Sequence, residues 1–372
     1  MAIMADNWLI EEVADLFDNG ISNSVDPRIR INERENYFEK TKLARGAVQI
    51  EALFSLLLNI VLRESIVVDD GYAFGWSNTA ELNKSLIPLQ SLANDGVIDV
   101  RNFRDEWDRL DAIRPKIIDE LCVTDDLRSI TRANIEEYEL HKRNADSYMS
   151  ICLIGGAGML ARSSLLKTNY VGHPHRQALF QEAGLYSAKP DAVRDVIEDI
   201  DQVRSSLIQF STASMRGNQL KINAPAIAIE IIQDSNSVED IFRVALEYRS
   251  KYRRLRDWLS NYQEALDNGD LSTSVRMRTF LKSYLSDAQI DLDLADDSST
   301  SISVSAAWFQ FPVSTKPLKR IRSSFGLRSD FSRLLLKGKG EHALRKLLEL
   351  FDEAGTALGQ DVEASVINIL KP

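Results

Sequence analysis

The stretch SVEDIFRVALEYRSKYRRLRDWLSNYQEALDN, residues 237–268, decides the reading of the fold. Ile241, Ala245, Tyr248, Tyr252, Leu255, Leu259, Tyr262 and Leu266 alternate spacings of four and three without a slip. A 3.5-residue period keeps one stripe facing a neighbouring helix along its whole length. The spacing predicts a single helix, about 46 Å long at 1.5 Å per residue, stopped by Asn268-Gly269. A helix with so long an apolar stripe needs cover. Val193, Val196, Ile200, Val203, Leu207 and Phe210 form a second seam over 190–212, opened by Pro190. The two rods are expected to pack antiparallel within one chain. Three tyrosines in the longer seam suit a wide, partly wet bundle interface better than a dimeric zipper.

Working outward, residues 6–18 read as a helix capped by Asp6 and ended by Asn19-Gly20. Residues 21–36 are polar and read as a linker, so residues 1–36 are expected to form an N-terminal helix and linker arm. Residues 42–63 read as a buried apolar helix. Ile66, Val67 and Val68, then Asp69, Asp70 and Gly71, then Tyr72 and Phe74, carry a hairpin signal. Residues 80–94 look helical up to Asp95-Gly96, and 97–100 suit a short third strand. Trp107, Leu110, Ile113, Ile117 and Leu121 mark another helical face, with Pro115 read as the start of a new helix. Residues 145–167 are read as a helix across Gly155-Gly156-Ala157-Gly158, with a strand entering a glycine turn as the alternative. Alternation over 290–294 and 301–306, around Asp-Asp-Ser-Ser-Thr, predicts a second hairpin. The expected fold is mainly α: a helical bundle with two long heptad-patterned helices and two small β-hairpins. Residues 37–167 are expected as a mainly helical lobe with the first hairpin. Residues 190–372 are expected as a bundle lobe with the second hairpin and a basic segment.

Bulk properties narrow the function. A chain of 372 residues, 44% hydrophobic and 27% charged, has ample material for a core. Its net charge of −10 gives no long-range attraction to nucleic acid or anionic lipid. Two cysteines, Cys122 and Cys152, make no disulfide framework and suit a reduced, cytoplasmic protein. The start of the chain shows no basic leader. The longest apolar run, 50–62, is interrupted by Glu51 and Asn59 and is shorter than the about 20 residues a bilayer needs.

Five features bear on chemistry. His173-Pro174-His175 is an H-x-H pair with metal-ligand spacing but no companion motif. Asp291 and Asp293, with Asp296 and Asp297, begin like a calcium loop and lack its glycine and distal glutamate. Asp69-Asp70 stands where metal-dependent nucleases place acids, although a turn into Gly71 explains it better. Gly155-Gly156-Ala157-Gly158 lacks the Lys-Ser/Thr of a phosphate loop, and close helix packing explains it better. Positive charge gathers at Arg249, Arg253 and Arg256. It gathers again at Lys316, Lys319, Arg320, Arg322, Arg328, Arg333, Lys337 and Lys339, on to Arg345 and Lys346. Phe325 and Phe331 interleave with that second run, a pattern suited to polyanion binding.

No catalytic constellation emerges and no cofactor is expected. The expectation is a cytoplasmic, non-enzymatic interaction or scaffold protein. The alternative is a nucleic-acid-binding protein or metal-dependent nuclease using the basic surface. Its expected partner is another protein, with nucleic acid through 316–346 as the second choice, no membrane, and a homo-oligomer compatible with the seams. A small-molecule enzyme stands as a third class, requiring residues distant in sequence to converge.

Overall fold

A computed structural model describes residues 1–21, 45–69, 86–122, 128–129, 131–133, 148–182, 191–193, 195–196, 226–280, 346–347 and 349–351. The chain divides into two compact units. The first comprises residues 1–56 and 63–189, the second residues 57–62 and 190–372. The described residues are mainly helical, as the periodicity predicts. The first unit is nevertheless organised by a sheet.

That sheet has four parallel strands, β1 (Ala2–Ala5), β2 (Ser65–Asp69), β3 (Ile98–Arg101) and β4 (Asn169–Val171), in the order β3-β2-β1-β4. Ile3 pairs with Ile66 on one side and with Asn169 on the other, and Ile66 pairs with Ile98. Helices α1 (Asn7–Asn19) and α2 (Arg45–Leu62) lie between β1 and β2 in the chain. Helix α3 (Leu86–Asn94) joins β2 to β3. A 3-10 turn at Arg104–Glu106, then α4 (Trp107–Leu121) and α5 (Tyr148–Leu166), lead to β4, and α6 (Pro174–Glu182) follows it. Successive residues of β1 and β2 are buried, so both faces of the sheet are covered, as a parallel sheet requires. Met4 and Val67 pack with Phe103, Leu110, Met159 and Ala161 beneath α4 and α5.

Several expectations change here. β2 is not an arm of a hairpin: it is bonded in parallel to β1 on one edge and to β3 on the other. A short, fully buried parallel strand and one arm of a hairpin share the same β-branched run. Residues 1–21 supply β1, an inner strand of the sheet, and α1, which follows it directly. Pro115 does not open a new helix: it sits inside α4, at an exposed position. The hairpin at 290–306 lies outside the described residues.

The second unit contains α7 (Ala226–Asp234), α8 (Asp240–Lys251) and α9 (Arg253–Asp267). The single long helix is two helices, broken at Tyr252, whose ψ of 15° departs from helical geometry. The seam survives the break: Ile241, Ala245, Tyr248, Tyr252, Leu255, Leu259 and Tyr262 are all buried. The tyrosines place their hydroxyls on acids. Tyr248 donates to Asp234 (2.6 Å), Tyr262 to Asp195 (3.2 Å) and Tyr252 to Glu230 (3.5 Å). Of the second rod, residues 192–193 and 195–196 are helical and Asp191 accepts from the Val193 amide (3.0 Å). The remainder of 190–212 lies outside the described residues, so a second long heptad helix is not shown.

Candidate functional site at the carboxyl ends of strands β1 and β4

In a sheet ordered β3-β2-β1-β4, the chain winds outward one way from β1 and then returns to its other side. In open α/β sheets that reversal, beyond the carboxyl ends of β1 and β4, is where ligands bind. Strand β1 ends at Ala5 and delivers Asp6; β4 ends at Val171 and delivers Gly172 and His173. The Asp6 amide bonds the Val171 carbonyl (2.9 Å), tying the two strand ends together.

Asp6 is fully buried. One carboxylate oxygen caps α1 through the Trp8 amide (2.9 Å) and also accepts from Arg176 Nη1 (2.6 Å). The Tyr170 hydroxyl donates to the other oxygen. Burial alone would raise this carboxyl, but the Arg176 charge and its hydrogen bond, helped by Tyr170 and His173, hold it below the usual range. Burial likewise opposes the Arg176 charge, and Asp6 more than restores it. Burial, then the Asp6 charge, push the Tyr170 phenol well above its ordinary value. The Arg176 guanidinium also lies 3.7 Å from the centre of the Trp8 ring, a cation–π contact strengthened by desolvation.

Histidine 173 extends the cluster. Its Nε2 lies 3.6 Å from Glu12 Oε1, both side chains being fully buried. Its Nδ1 accepts from the His175 amide (3.3 Å), which assigns the neutral-ring proton to Nε2 on the Glu12 side. Trp8 and His175 meet the ring edge-on at 5.6 and 5.0 Å. Pro174 opens α6, and both histidines of the H-x-H pair are buried. Among the described residues no group of three or more His, Cys, Asp or Glu side chains is placed to hold a metal ion.

The glycine run shapes this cluster from behind. It lies within α5, as the helical spacing predicts. A Cβ at position 155 would meet Arg176 Nη2 at 2.1 Å, and one at 156 would meet Phe180 Cζ at 2.4 Å. The glycines therefore admit Arg176 and Phe180 against the helix rather than cradle a phosphate. We expect G156A to cost about 1–3 kcal/mol by overpacking, net of the about 1 kcal/mol that alanine gains in a helix. G158A, whose Cβ would meet nothing closer than Arg162 Nη1 at 3.4 Å, should be near neutral. Urea denaturation of both variants separates the two outcomes.

The other sequence-derived residues are placed elsewhere. Asp69, at the carboxyl end of β2, pairs with Arg162 Nε (2.6 Å); Asp70 lies outside the described residues. Cys122 and Cys152 are buried, unoxidised members of one apolar cluster with Leu121, Leu153 and Phe180. Arg249 and Arg256 face inward: their Nη1 atoms donate to the carbonyls of Ile60 (2.5 Å) and Val61 (3.0 Å) at the end of α2. Burial and the adjacent Arg256 push Arg249 down to about 10. Arg253 is exposed. Lys346 donates to the Gln233 carbonyl at the end of α7 (2.6 Å). Asp291, Asp293 and the basic residues from Lys316 to Lys339 lie outside the described residues. No helix among the described residues is long and apolar enough to cross a membrane.

Sequence reasoning missed Glu12, Tyr170 and Arg176, and saw Asp6 only as a helix cap. Local pattern holds no signal for them, because Asp6 and Arg176 are 170 residues apart. One usable sign existed: the short apolar run Ala2-Ile3-Met4-Ala5 running straight into a cap, which is how a buried parallel strand entering a helix reads. No known protein family, curated protein or solved structure matches this chain.

Proposed function

We propose that the first unit is a small-molecule-binding α/β domain whose ligand sits at the β1/β4 reversal. One observation carries the reading: Asp6, Glu12, Tyr170, His173 and Arg176 gather at the carboxyl ends of β1 and β4, where the strand order reverses. Buried charge is expensive, and a fold that needed only stability would fill such a position with apolar groups. The turn from β1 into α1, Asp6-Asn7-Trp8, contains no glycine, so the reading is not a glycine-loop dinucleotide site. The test uses the full chain with adenosine, AMP, ATP, NAD and ribose 5-phosphate in thermal unfolding and calorimetry. At least one should raise the unfolding midpoint, and H175A, which leaves the Asp6–Arg176 pair in place, should abolish that response. Indifference to the whole panel, or a response that H175A leaves intact, overturns the proposal.

A second reading, a protein-interaction role for the second unit, is favoured by Leu271 and Val275. They lie one helical turn apart within 271–280 and are 75% and 61% exposed. The heptad seam does not support that role, because its side chains are buried within the chain.

A further inference from the structure

Strand β3 ends the sheet, and no described residue pairs with its outer edge. In a parallel ladder every second residue of a strand bonds the two residues flanking its register mate, and the residues between face the other way. Ile66 is in register with Ile98, and its amide bonds the Val97 carbonyl (2.8 Å). The main-chain groups of residues 97, 99 and 101 therefore face β2, and those of Ile98 and Val100 face outward. Asp99, Val100 and Arg101 are exposed. Among the described residues of the first unit, the large apolar side chains left exposed are Val100 (39%) and, on the helix that follows, Trp107 (50%). An open strand edge of this kind is a template for another strand.

We propose that this edge pairs with β3 of a second copy, antiparallel, about a two-fold axis through Val100. The charges select the occupant and the register. The sequence Asp99-Val100-Arg101 is complementary to itself when reversed, so Val100 opposes Val100 and each copy's Asp99 opposes the other copy's Arg101. Sliding the pair one way sets Asp99 against Asp99, and sliding it the other way sets Arg101 against Arg101; like charges directly opposite are destabilising. The outward amide and carbonyl of Val100 then form the central hydrogen-bonded pair. Arg101 also bonds Glu106 (3.0 Å) and lies 5.7 Å from the Phe103 ring, with 42% of its side chain left exposed. An interface of one isologous strand is small, so a weak, concentration-dependent dimer is expected. This inference is independent of the ligand site.

Sedimentation equilibrium of the full chain tests it. The wild type should show a monomer–dimer equilibrium. D99R turns both ion pairs repulsive and should weaken dimerisation by about tenfold or more. D99R/R101D restores complementarity and should return it to within about threefold of the wild type. V100P removes an outward-facing amide that no bond to β2 uses, and should leave a monomer; far-ultraviolet dichroism checks that each variant is folded. A wild type that stays monomeric at all concentrations overturns the proposal. So does a dimer indifferent to D99R or to V100P, or one that the double substitution fails to rescue.

Discussion

R176M is expected to lose about 3–5 kcal/mol of stability near neutral pH, the range for removing one partner of a buried ion pair. The substitution keeps an apolar stem against Trp8 and Gly155 but leaves the Asp6 carboxylate buried without its cation. Asp6 also caps α1 and ties β1 to β4, so the loss should appear as a cooperative shift of the whole transition. The pH dependence separates charge from packing. In the wild type the Asp6 carboxyl is held below its ordinary value, so its contribution is present above that value and fades as pH falls through the folded one. Without Arg176 the remaining effect is dominated by burial, which raises the carboxyl, and Asp6 should fold protonated. The deficit of R176M should therefore be largest at pH 7 and shrink toward pH 4. Urea midpoints measured across that interval provide the check, and a deficit independent of pH would assign the loss to packing. D6N/R176M should be more stable than R176M at pH 7, because a neutral amide spares the cost of protonating Asp6 on folding.

E51Q is expected to act in the opposite direction. Glu51 lies on α2, partly buried, and burial pushes its carboxyl from 4.5 up to about 7. A folded value above the unfolded one means that the folded chain holds the proton more tightly. The contribution is thus fully present below about pH 4.5 and is lost as pH rises through about 7. At pH 8 the wild type keeps an ionised carboxylate where burial disfavours it. Two and a half units correspond to a ceiling of about 3.4 kcal/mol, and partial exposure lowers what is realised. E51Q should stabilise the chain by about 1–3 kcal/mol at pH 8 and by almost nothing at pH 4. Thermal or urea midpoints at the two pH values decide it; equal gains at both would show that the amide simply packs better.

What the sequence revealed follows the range over which its signals act. Helices α1, α2 and α5 were legible because caps and apolar periodicity are local. The seam from Ile241 to Tyr262 was read residue by residue and is buried, although the helix carrying it breaks at Tyr252. Strands β1 and β4 were not legible. Each has only three or four residues, too few for an alternation that would distinguish a strand from a helix start. The parallel pairing of β2 was misread because pairing direction depends on neighbours far along the chain. The site failed for the same reason. His173 and His175 stood out by composition, but Glu12 and Arg176 become partners of that cluster only when β1 and β4 lie side by side. Arg249 and Arg256 donate to helix-end carbonyls, and in sequence a guanidinium with that role looks like one that binds a polyanion.

Residues 2–5 occupy the inside of the sheet, hydrogen-bonded to β2 on one flank and β4 on the other. Their second neighbour is synthesised roughly 165 residues later, on the order of ten to thirty seconds at ribosomal speeds. During that interval Ile3 and Met4 have half of their lattice missing, and the slow, non-local closure of β1 on β4 should be the last event in assembling the sheet. A nascent chain halted before residue 169 would expose the flank of β1 that β4 later fills, which makes such truncations natural clients for chaperones that hold extended apolar segments.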